Sequence, residues 1–131
     1  GKLEMAALAA TLRLWRDERW AEIPCWDCIA RPLDQVRADA RTLQRACPLP
    51  ASLYEGWTEI GGGTTPGRGI RTYRVGIETR KTSDALLALR SLPTPIFGRA
   101  EQGLIWLDPR SCSRNEIKTA ARALKQLEVQ A

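Results

Sequence analysis

The 131-residue sequence contains no histidine. Histidine is the commonest general base in enzymes and a member of the usual serine and cysteine catalytic triads. The carboxylates are scattered along the chain, and no motif brings two of them together. The sequence by itself therefore lacks the signature of a complete catalytic site.

Lysine is scarce as well, since the chain has only Lys2, Lys81, Lys118 and Lys125. A lysine that forms a Schiff base must lose its proton near neutral pH, which requires a desolvated pocket. Each of the four falls at a terminus or on a predicted polar position of a helix or turn. None of them is therefore predicted to carry covalent chemistry.

The cysteines are few and unevenly spaced, at Cys25, Cys28, Cys47 and Cys112. The first two form a C-x-x-C pair, which is typical of half a zinc site or of a redox pair. A zinc ribbon needs a second close pair, which is missing, and no histidine can complete the ligand set. We expect mostly buried thiols in a reducing compartment, and the role of the pair stays open.

Long apolar runs are absent, and none approaches the roughly 18 residues that span a bilayer. No signal peptide is visible either, so we expect no membrane segment and a cytoplasmic location. The length favours a single domain that can bury a core without metals or disulfides.

Positive charge is concentrated in residues 61–90, which hold six basic and two acidic residues. Such a cluster can attract phosphates. The alternative is a solvated face without a ligand. The basic residues that define this cluster are Arg68, Arg71, Arg74, Arg80 and Lys81.

Hydrophobic periodicity predicts a two-layer α+β fold, in which helices cover one face of a mostly antiparallel four-stranded sheet. Residues 24–32 are predicted to be a loop after Pro24 stops the first helix. On the third helix we expect Leu86, Leu87 and Leu89 to point inward. Ser113 and Glu116 have the spacing of a capping box at the start of the last helix. In the last strand Leu104, Trp106 and Asp108 are predicted to point one way, and Ile105 and Leu107 the other. The predicted helices are residues 2–20, 32–47, 84–91 and 114–128, and the predicted strands are residues 51–60, 70–78, 96–100 and 104–108.

The first predicted helix has an unusually broad apolar face, because Leu8, Leu12 and Trp15 widen its inner stripe. This breadth indicates burial on two sides, as in a helix that joins one domain to another. We expect the outer residues Leu8 and Trp15 to be exposed or self-associated in this chain. The alternative is the N-terminal helix of a self-contained domain.

Five glycines lie within residues 61–69, between the first two predicted strands. Glycine permits special backbone angles and a close approach of the backbone to a ligand. The loop matches neither the P-loop pattern nor G-x-G-x-x-G, and it joins a strand to a strand. It is either a ligand-binding loop, with Gly62, Gly63 and Thr64 as candidates, or a hairpin loop without a ligand.

Arg99 lies in the first strand of the predicted hairpin and shares a face with Phe97, which we expect to point into the core. A guanidinium there needs an acidic partner or an anionic ligand, because an unpaired buried charge is costly. Asp108 across the hairpin is the candidate partner. An anion contact in an active-site cleft is the alternative.

Four collinear blocks together resemble the C-terminal part of the bacterial selenocysteine synthases, the L-seryl-tRNA(Sec) selenium transferases. The blocks cover nearly the whole chain, and the last contains the predicted hairpin. They are G-K-L-E-M-A-A-L followed by A-T-L-R-L, then I-P with Trp26, then G-G-G-T-T-P-G, and finally L-P-T-P-I-F-G-R-A-E-Q-G-L-I-W-L-D.

The resemblance implies the small C-terminal domain of a type I pyridoxal-phosphate enzyme, with residues 1–22 as connecting helix and residues 23–131 as the domain. It also implies that the cofactor lysine and the tRNA-binding region lie upstream of this chain. The complete enzyme would convert seryl-tRNA(Sec) to selenocysteinyl-tRNA(Sec) with selenophosphate and pyridoxal phosphate, as a homo-oligomer. This chain alone is expected to be inactive and to bind no pyridoxal phosphate.

Other functions stay open at this point. One is a stand-alone RNA-binding module that uses the basic cluster with Tyr73, although the sequence lacks the RRM and KH signatures. Another is an assembly domain that buries its first helix against a partner chain. A third is a related pyridoxal-phosphate lyase or transferase of the same family.

Overall fold

The computed structural model describes residues 1–61 and 69–128 of the chain. These residues divide into two compact units, Gly1–Arg31 and Pro32–Ala131. The division falls between Arg31 and Pro32, whereas the proposed connecting helix ends at residue 22. That earlier boundary stays a prediction.

The first unit contains helix α1 (Lys2–Arg16), a 3₁₀ turn (Trp20–Glu22) and helix α2 (Pro24–Ala30). The prediction that the first helix runs to residue 20 is wrong by four residues. Glu18 has a φ of 55°, and the Arg19 amide donates to the Leu14 carbonyl at 2.9 Å. This left-handed C-terminal cap satisfies the last carbonyls and ends the helix before any proline.

The prediction of a loop over residues 24–32 is also wrong, because Pro24 begins helix α2. Proline suits this first position, where no intrahelical bond needs its missing N–H. The Ile23 carbonyl accepts from the amides of Trp26 at 2.9 Å and Asp27 at 3.1 Å. The helix thus begins with a turn that combines 3₁₀ and α hydrogen bonds.

Tryptophan rings hold the first unit together. The Trp15 ring lies 6.0 Å from that of Trp20 and 5.2 Å from that of Trp26. The Trp20 Nε1 also donates to the Trp15 carbonyl at 3.2 Å. Helix α1 nevertheless has no buried residue. Five of its large apolar side chains are exposed, and Leu8 and Trp15 were expected to be among them. The five are Leu3, Met5, Leu8, Leu12 and Trp15.

The second unit is the predicted α+β domain. Its elements are α3 (Leu33–Ala46), β1 (Ala51–Glu59), β2 (Gly69–Glu78), α4 (Thr82–Arg90), β3 (Arg99–Glu101), β4 (Leu104–Leu107) and α5 (Arg114–Leu124). The four strands form one antiparallel sheet in the order β1-β2-β4-β3. The fold class and the four strands are therefore confirmed.

The sheet buries one face under the helices. Leu53 pairs with Val75, and Val75 with Leu107, so these side chains point the same way. Ile77 and Ile105 continue this face one pair further along. Helices α3, α4 and α5 contribute the rest of the core, which includes Val36, Ala40, Leu43, Ala85, Leu89, Ile117 and Leu124.

The predicted hairpin is present, with a tighter turn than expected. Gln102 and Gly103 have φ angles of 53° and 77°, the signature of a two-residue type I′ turn. Glu101 therefore belongs to β3, which begins at Arg99 and not at residue 96.

Two helices differ in detail from their predictions. On α4, Leu89 is buried and Leu86 half-buried as predicted, but Leu87 is exposed and Ala85 takes the inner position. Helix α5 has the predicted capping box between Ser113 and Glu116. It ends at Leu124, before the predicted residue 128.

No helix within the described residues is long and apolar enough to cross a membrane.

The two leucines of α4 provide a matched stability test. Leu89 is 1% exposed and Leu87 is 60% exposed. Leu89→Ala should lower the free energy of unfolding by about 2–5 kcal/mol, because it removes buried methyl groups and leaves a cavity. Leu87→Ala should change it by less than about 0.5 kcal/mol. Urea denaturation measures both, and equal losses would contradict the assigned face of α4.

Candidate functional site

The sheet face opposite the core carries an aromatic and cationic cluster, which we call the sheet-face cluster: Tyr54, Arg74, Trp106 and Arg99. Tyr54 pairs with Arg74, and Trp106 pairs with Arg99 across β4 and β3. The Tyr54 and Trp106 rings meet edge to face with centroids 5.0 Å apart. The Arg74 guanidinium lies 4.7 Å from the Trp106 ring centroid, within cation–π range.

Two glycines make room for this cluster. A Cβ on Gly76 would come within 2.8 Å of the Tyr54 ring and 3.1 Å of the Trp106 ring. A Cβ on Gly56 would lie 2.9 Å from Nη2 of Arg74. The absence of these two side chains therefore lets both rings and the guanidinium lie close against the strands.

Arg99 lies on this open face and is exposed. The prediction that it sits among core-facing side chains is wrong, since Phe97 is 78% exposed and precedes β3. Within the described residues Arg99 forms no ion pair with Asp108, so that proposed salt bridge is also wrong. Its role as an anion contact stays a prediction.

Asp108 instead ties three backbone segments together. Its Oδ1 accepts from Thr72 Oγ1 at 2.9 Å and from the Arg110 amide at 3.0 Å, and its Oδ2 accepts from Thr58 Oγ1. Thr58 and Thr72 belong to β1 and β2, beside the glycine-rich loop. This carboxylate therefore fixes the ends of both strands at the base of that loop.

The segment after β4 is anchored again by Arg110, which is buried. Its Nη2 donates to the Arg71 carbonyl at 2.6 Å. This bond satisfies a β2 carbonyl beyond the last residue that pairs with β4.

The candidate residues Gly62, Gly63 and Thr64 lie outside the described residues, as does Arg68. Gly61 precedes this gap with a φ of 63°, a left-handed angle that favours glycine. The loop's proposed contact with a ligand therefore stays a prediction.

Two residues of the basic cluster predicted from the sequence, Arg71 and Arg74, do not share a face of the sheet. Arg71 and Arg74 alternate across β2 and point to opposite faces. Arg71 donates through Nε to Glu55 at 2.9 Å, and this hydrogen bond lowers the pKa of the Glu55 carboxyl. Tyr73 lies under the Arg37 guanidinium at 5.3 Å. Two members of the proposed RNA surface, Arg71 and Tyr73, thus make contacts within the domain, and the RNA-binding role stays a prediction.

None of the four cysteines forms a disulfide in this structure. The expectation of burial is wrong for Cys25, which is exposed, while Cys28, Cys47 and Cys112 are half-buried. Burial raises the pKa of the Cys47 thiol. Among the described residues no group of three or more His, Cys, Asp or Glu side chains is placed to hold a metal ion.

A cleft of about 470 Å³ opens between residues 94–97 and helix α5. Its walls are mainly apolar, and they include Ile96, Phe97, Leu107 and Ile117. The cleft lies on the core side of the hairpin and is separate from the sheet-face cluster.

The arrangement on the open face suits binding more than proton transfer. Arginine stays protonated at any physiological pH, so it holds anions but does not act as a general base. The aromatic rings offer flat apolar surface beside it. The sequence pointed to Arg99, whereas Trp106 was predicted only as part of an alternating strand and Tyr54 was missed. The pairing of Tyr54 with Arg74 could have been found only from the strand register.

Comparison with known proteins identifies the family. The family model of L-seryl-tRNA selenium transferase matches residues 1–113 of this chain. The chain belongs to the L-seryl-tRNA selenium transferase family. The resemblance that the four sequence blocks indicated is therefore confirmed.

Individual members of this family match almost the whole chain. The L-seryl-tRNA(Sec) selenium transferase of Geotalea uraniireducens is 35% identical over 136 residues, which cover 96% of this chain and 29% of the relative. That of Maridesulfovibrio salexigens is 35% identical over 137 residues, with 96% of this chain and 30% of the relative covered. The chain thus spans less than a third of the length of these curated relatives, which are named as transferases.

A Schiff base between a pyridoxal-phosphate cofactor and this chain would need a desolvated lysine. All four lysines are exposed, at positions 2, 81, 118 and 125. The residues present therefore do not fit covalent attachment of that cofactor. The expectation that the chain alone binds none stays a prediction.

The two glycines of the open face can be tested as a pair. Gly76→Ala places its Cβ against two aromatic rings and should lower the free energy of unfolding by about 1–3 kcal/mol through overpacking. Gly56→Ala meets the flexible end of Arg74, which can move, so its cost should be smaller. Thermal denaturation compares the variants, and a larger loss for Gly56→Ala would contradict this packing.

Proposed function

We propose that this chain is the C-terminal part of an enzyme that converts seryl-tRNA(Sec) to selenocysteinyl-tRNA(Sec), with selenophosphate as the selenium donor. The observation that carries the proposal is the match of 96% of the chain to named transferases of which it covers 29%. Pyridoxal phosphate would act as the electron sink of the reaction in the complete protein. The cofactor lysine would come from the rest of that protein, since the lysines here are exposed.

The contribution proposed for this chain is an anion contact on the open sheet face. Arg99 is exposed on β3, and its backbone lies directly opposite that of Trp106. Arg74 adds a second positive charge on the same face, held against the Trp106 ring. Glu78 and Glu101 flank Leu104 at the far end of this face, so the positive charge is confined to the Trp106 side. Phosphate-bearing substrates have the matching charge.

Substitution of Arg99 in the complete protein tests this contact. Arg99→Gln should reduce selenium transfer at least tenfold, which corresponds to about 1.4 kcal/mol of transition-state stabilisation. The melting temperature should stay nearly unchanged, because the side chain is exposed. Transfer of radiolabelled selenium to seryl-tRNA and thermal denaturation give the two readouts.

Arg122→Gln is the matched control, since Arg122 is an exposed arginine on helix α5. It should retain activity within twofold or so, as expected for a remote surface change. Thr64→Val in the glycine-rich loop should behave like Arg99→Gln if that loop also contacts the substrate. Full activity per folded molecule in Arg99→Gln would show that the functional role of Arg99 is wrong.

A second function, assembly, is favoured by the exposure of helix α1. We propose that its apolar side chains are covered in the complete protein by another part of that protein, within a homo-oligomer. Leu8 and Leu12 are 53% and 56% exposed and lie one turn apart. A helix usually gains its stability by packing such a face, and an uncovered apolar stripe is typical of an interface.

Because the apolar side chains of α1 are exposed, we expect copies of the 131-residue chain to associate as their concentration rises. Leu8→Glu should shift the chain toward the monomer and leave its melting temperature within a few degrees, because Leu8 buries little surface here. Ala10→Glu is the control: it adds the same charge about 200° away around the helix. Sedimentation velocity measures the association. An unchanged distribution for Leu8→Glu would contradict the assembly role of α1.

A further inference from the structure

The C-x-x-C pair of the first unit lies on the first turns of a short helix. Cys25 is the second residue of α2 and is exposed, and Cys28 follows one turn later and is half-buried. Neither the family match nor the proposed anion contact uses these thiols. An exposed thiol with a second thiol one helical turn away is the arrangement that redox pairs share.

The spacing allows the two sulfurs to bond. Residues three apart in a helix have Cα atoms about 5 Å apart, inside the range of about 4.4–6.8 Å that disulfides require. Their Cβ atoms are about 5–6 Å apart in a regular helix, whereas a disulfide needs about 3.5–4.5 Å. Formation of the disulfide therefore requires the two Cβ atoms to approach each other by about 1–2 Å.

The start of α2 is suited to such tightening. The Ile23 carbonyl already accepts a 3₁₀-type bond from Trp26, beside the α-type bond from Asp27. In a 3₁₀ turn the side chains at i and i+3 eclipse each other, which brings their Cβ atoms together. Helix α2 has only seven residues, so few further hydrogen bonds oppose the change.

We propose that Cys25 and Cys28 form a reversible disulfide by exchange with a low-molecular-weight disulfide such as oxidised glutathione. The Cys25 thiolate attacks one glutathione sulfur, forms a mixed disulfide and releases the other half as a thiolate. The Cys28 thiolate then attacks the Cys25 sulfur and expels the second glutathione thiolate. Two electrons pass from the protein dithiol to glutathione, and the two protons lost by the cysteines balance the two thiols formed.

The exposure of the pair makes the bond easy to reverse. Exposed disulfides and those that distort their surroundings are the labile ones, because reducing thiols reach them readily. The other cysteines offer a contrast within the same chain. Burial raises the pKa of the Cys47 thiol, so less of it is present as the reactive thiolate.

Peptide mapping after equilibration with glutathione tests the proposal on the 131-residue chain. Trypsin releases residues 20–37 as one peptide, because Pro32 protects the bond after Arg31, and this peptide contains only Cys25 and Cys28. With excess oxidised glutathione, most of this peptide should lose two hydrogens, as an internal disulfide requires, and should carry no bound glutathione. Dithiothreitol should restore both thiols.

Serine variants show which cysteine reacts with glutathione first and which one then displaces it. Cys28→Ser should trap a stable glutathione adduct on Cys25. Cys25→Ser should abolish the internal bond and slow adduct formation, because the exposed thiol is lost. Cys47→Ser and Cys112→Ser should leave peptide 20–37 unaffected. Stable mixed adducts in the unmodified chain, no reaction, or a crosslink to Cys47 or Cys112 would each overturn the proposal.

Discussion

Burial of strand β2 against helix α3 is the constraint on which the rest of the second unit depends. Val75 and Ile77 are fully buried, and the same strand pairs with β1 on one side and with β4 on the other. Because side chains alternate along a strand, fixing Val75 and Ile77 inward forces Arg74 and Gly76 outward. A slip of one residue would bury the guanidinium and expose the aliphatic core.

The register of β2 also determines which side chains lie on the open face of the sheet. Gly76 faces outward, and the space it leaves lets the Tyr54 and Trp106 rings touch. Trp106 in turn lies under Arg74 and opposite the backbone of Arg99. Asp108 accepts hydrogen bonds from Thr58 and Thr72 at the end of the sheet opposite Glu78. Burial of one face of β2 thus brings aromatic rings and arginines together on the opposite face of the sheet.

The family relation and the chemistry of the chain agree with each other. The chain covers 29% of a relative that is named a transferase, contains no histidine and exposes its four lysines. Exposed Arg99, the aromatic rings of the open face and the apolar stripe of helix α1 are the features on which the proposed binding roles rest.

Local sequence patterns predicted the capping box at Ser113, the alternation of Ile105 and Leu107, and a hairpin with a short glycine-containing turn, because each depends on a few neighbouring residues. They failed at three positions where neither glycine or proline nor apolar periodicity marks the outcome. Glu18 ends α1 without a glycine, Leu87 faces solvent because Ala85 and Leu89 meet the core, and Phe97 lies outside because β3 begins only at Arg99. The sequence by itself determined the fold class, the family and the candidate Arg99. Only the tertiary structure decided which face of the sheet is open and which side chains share it, because strand register depends on burial across the whole sheet.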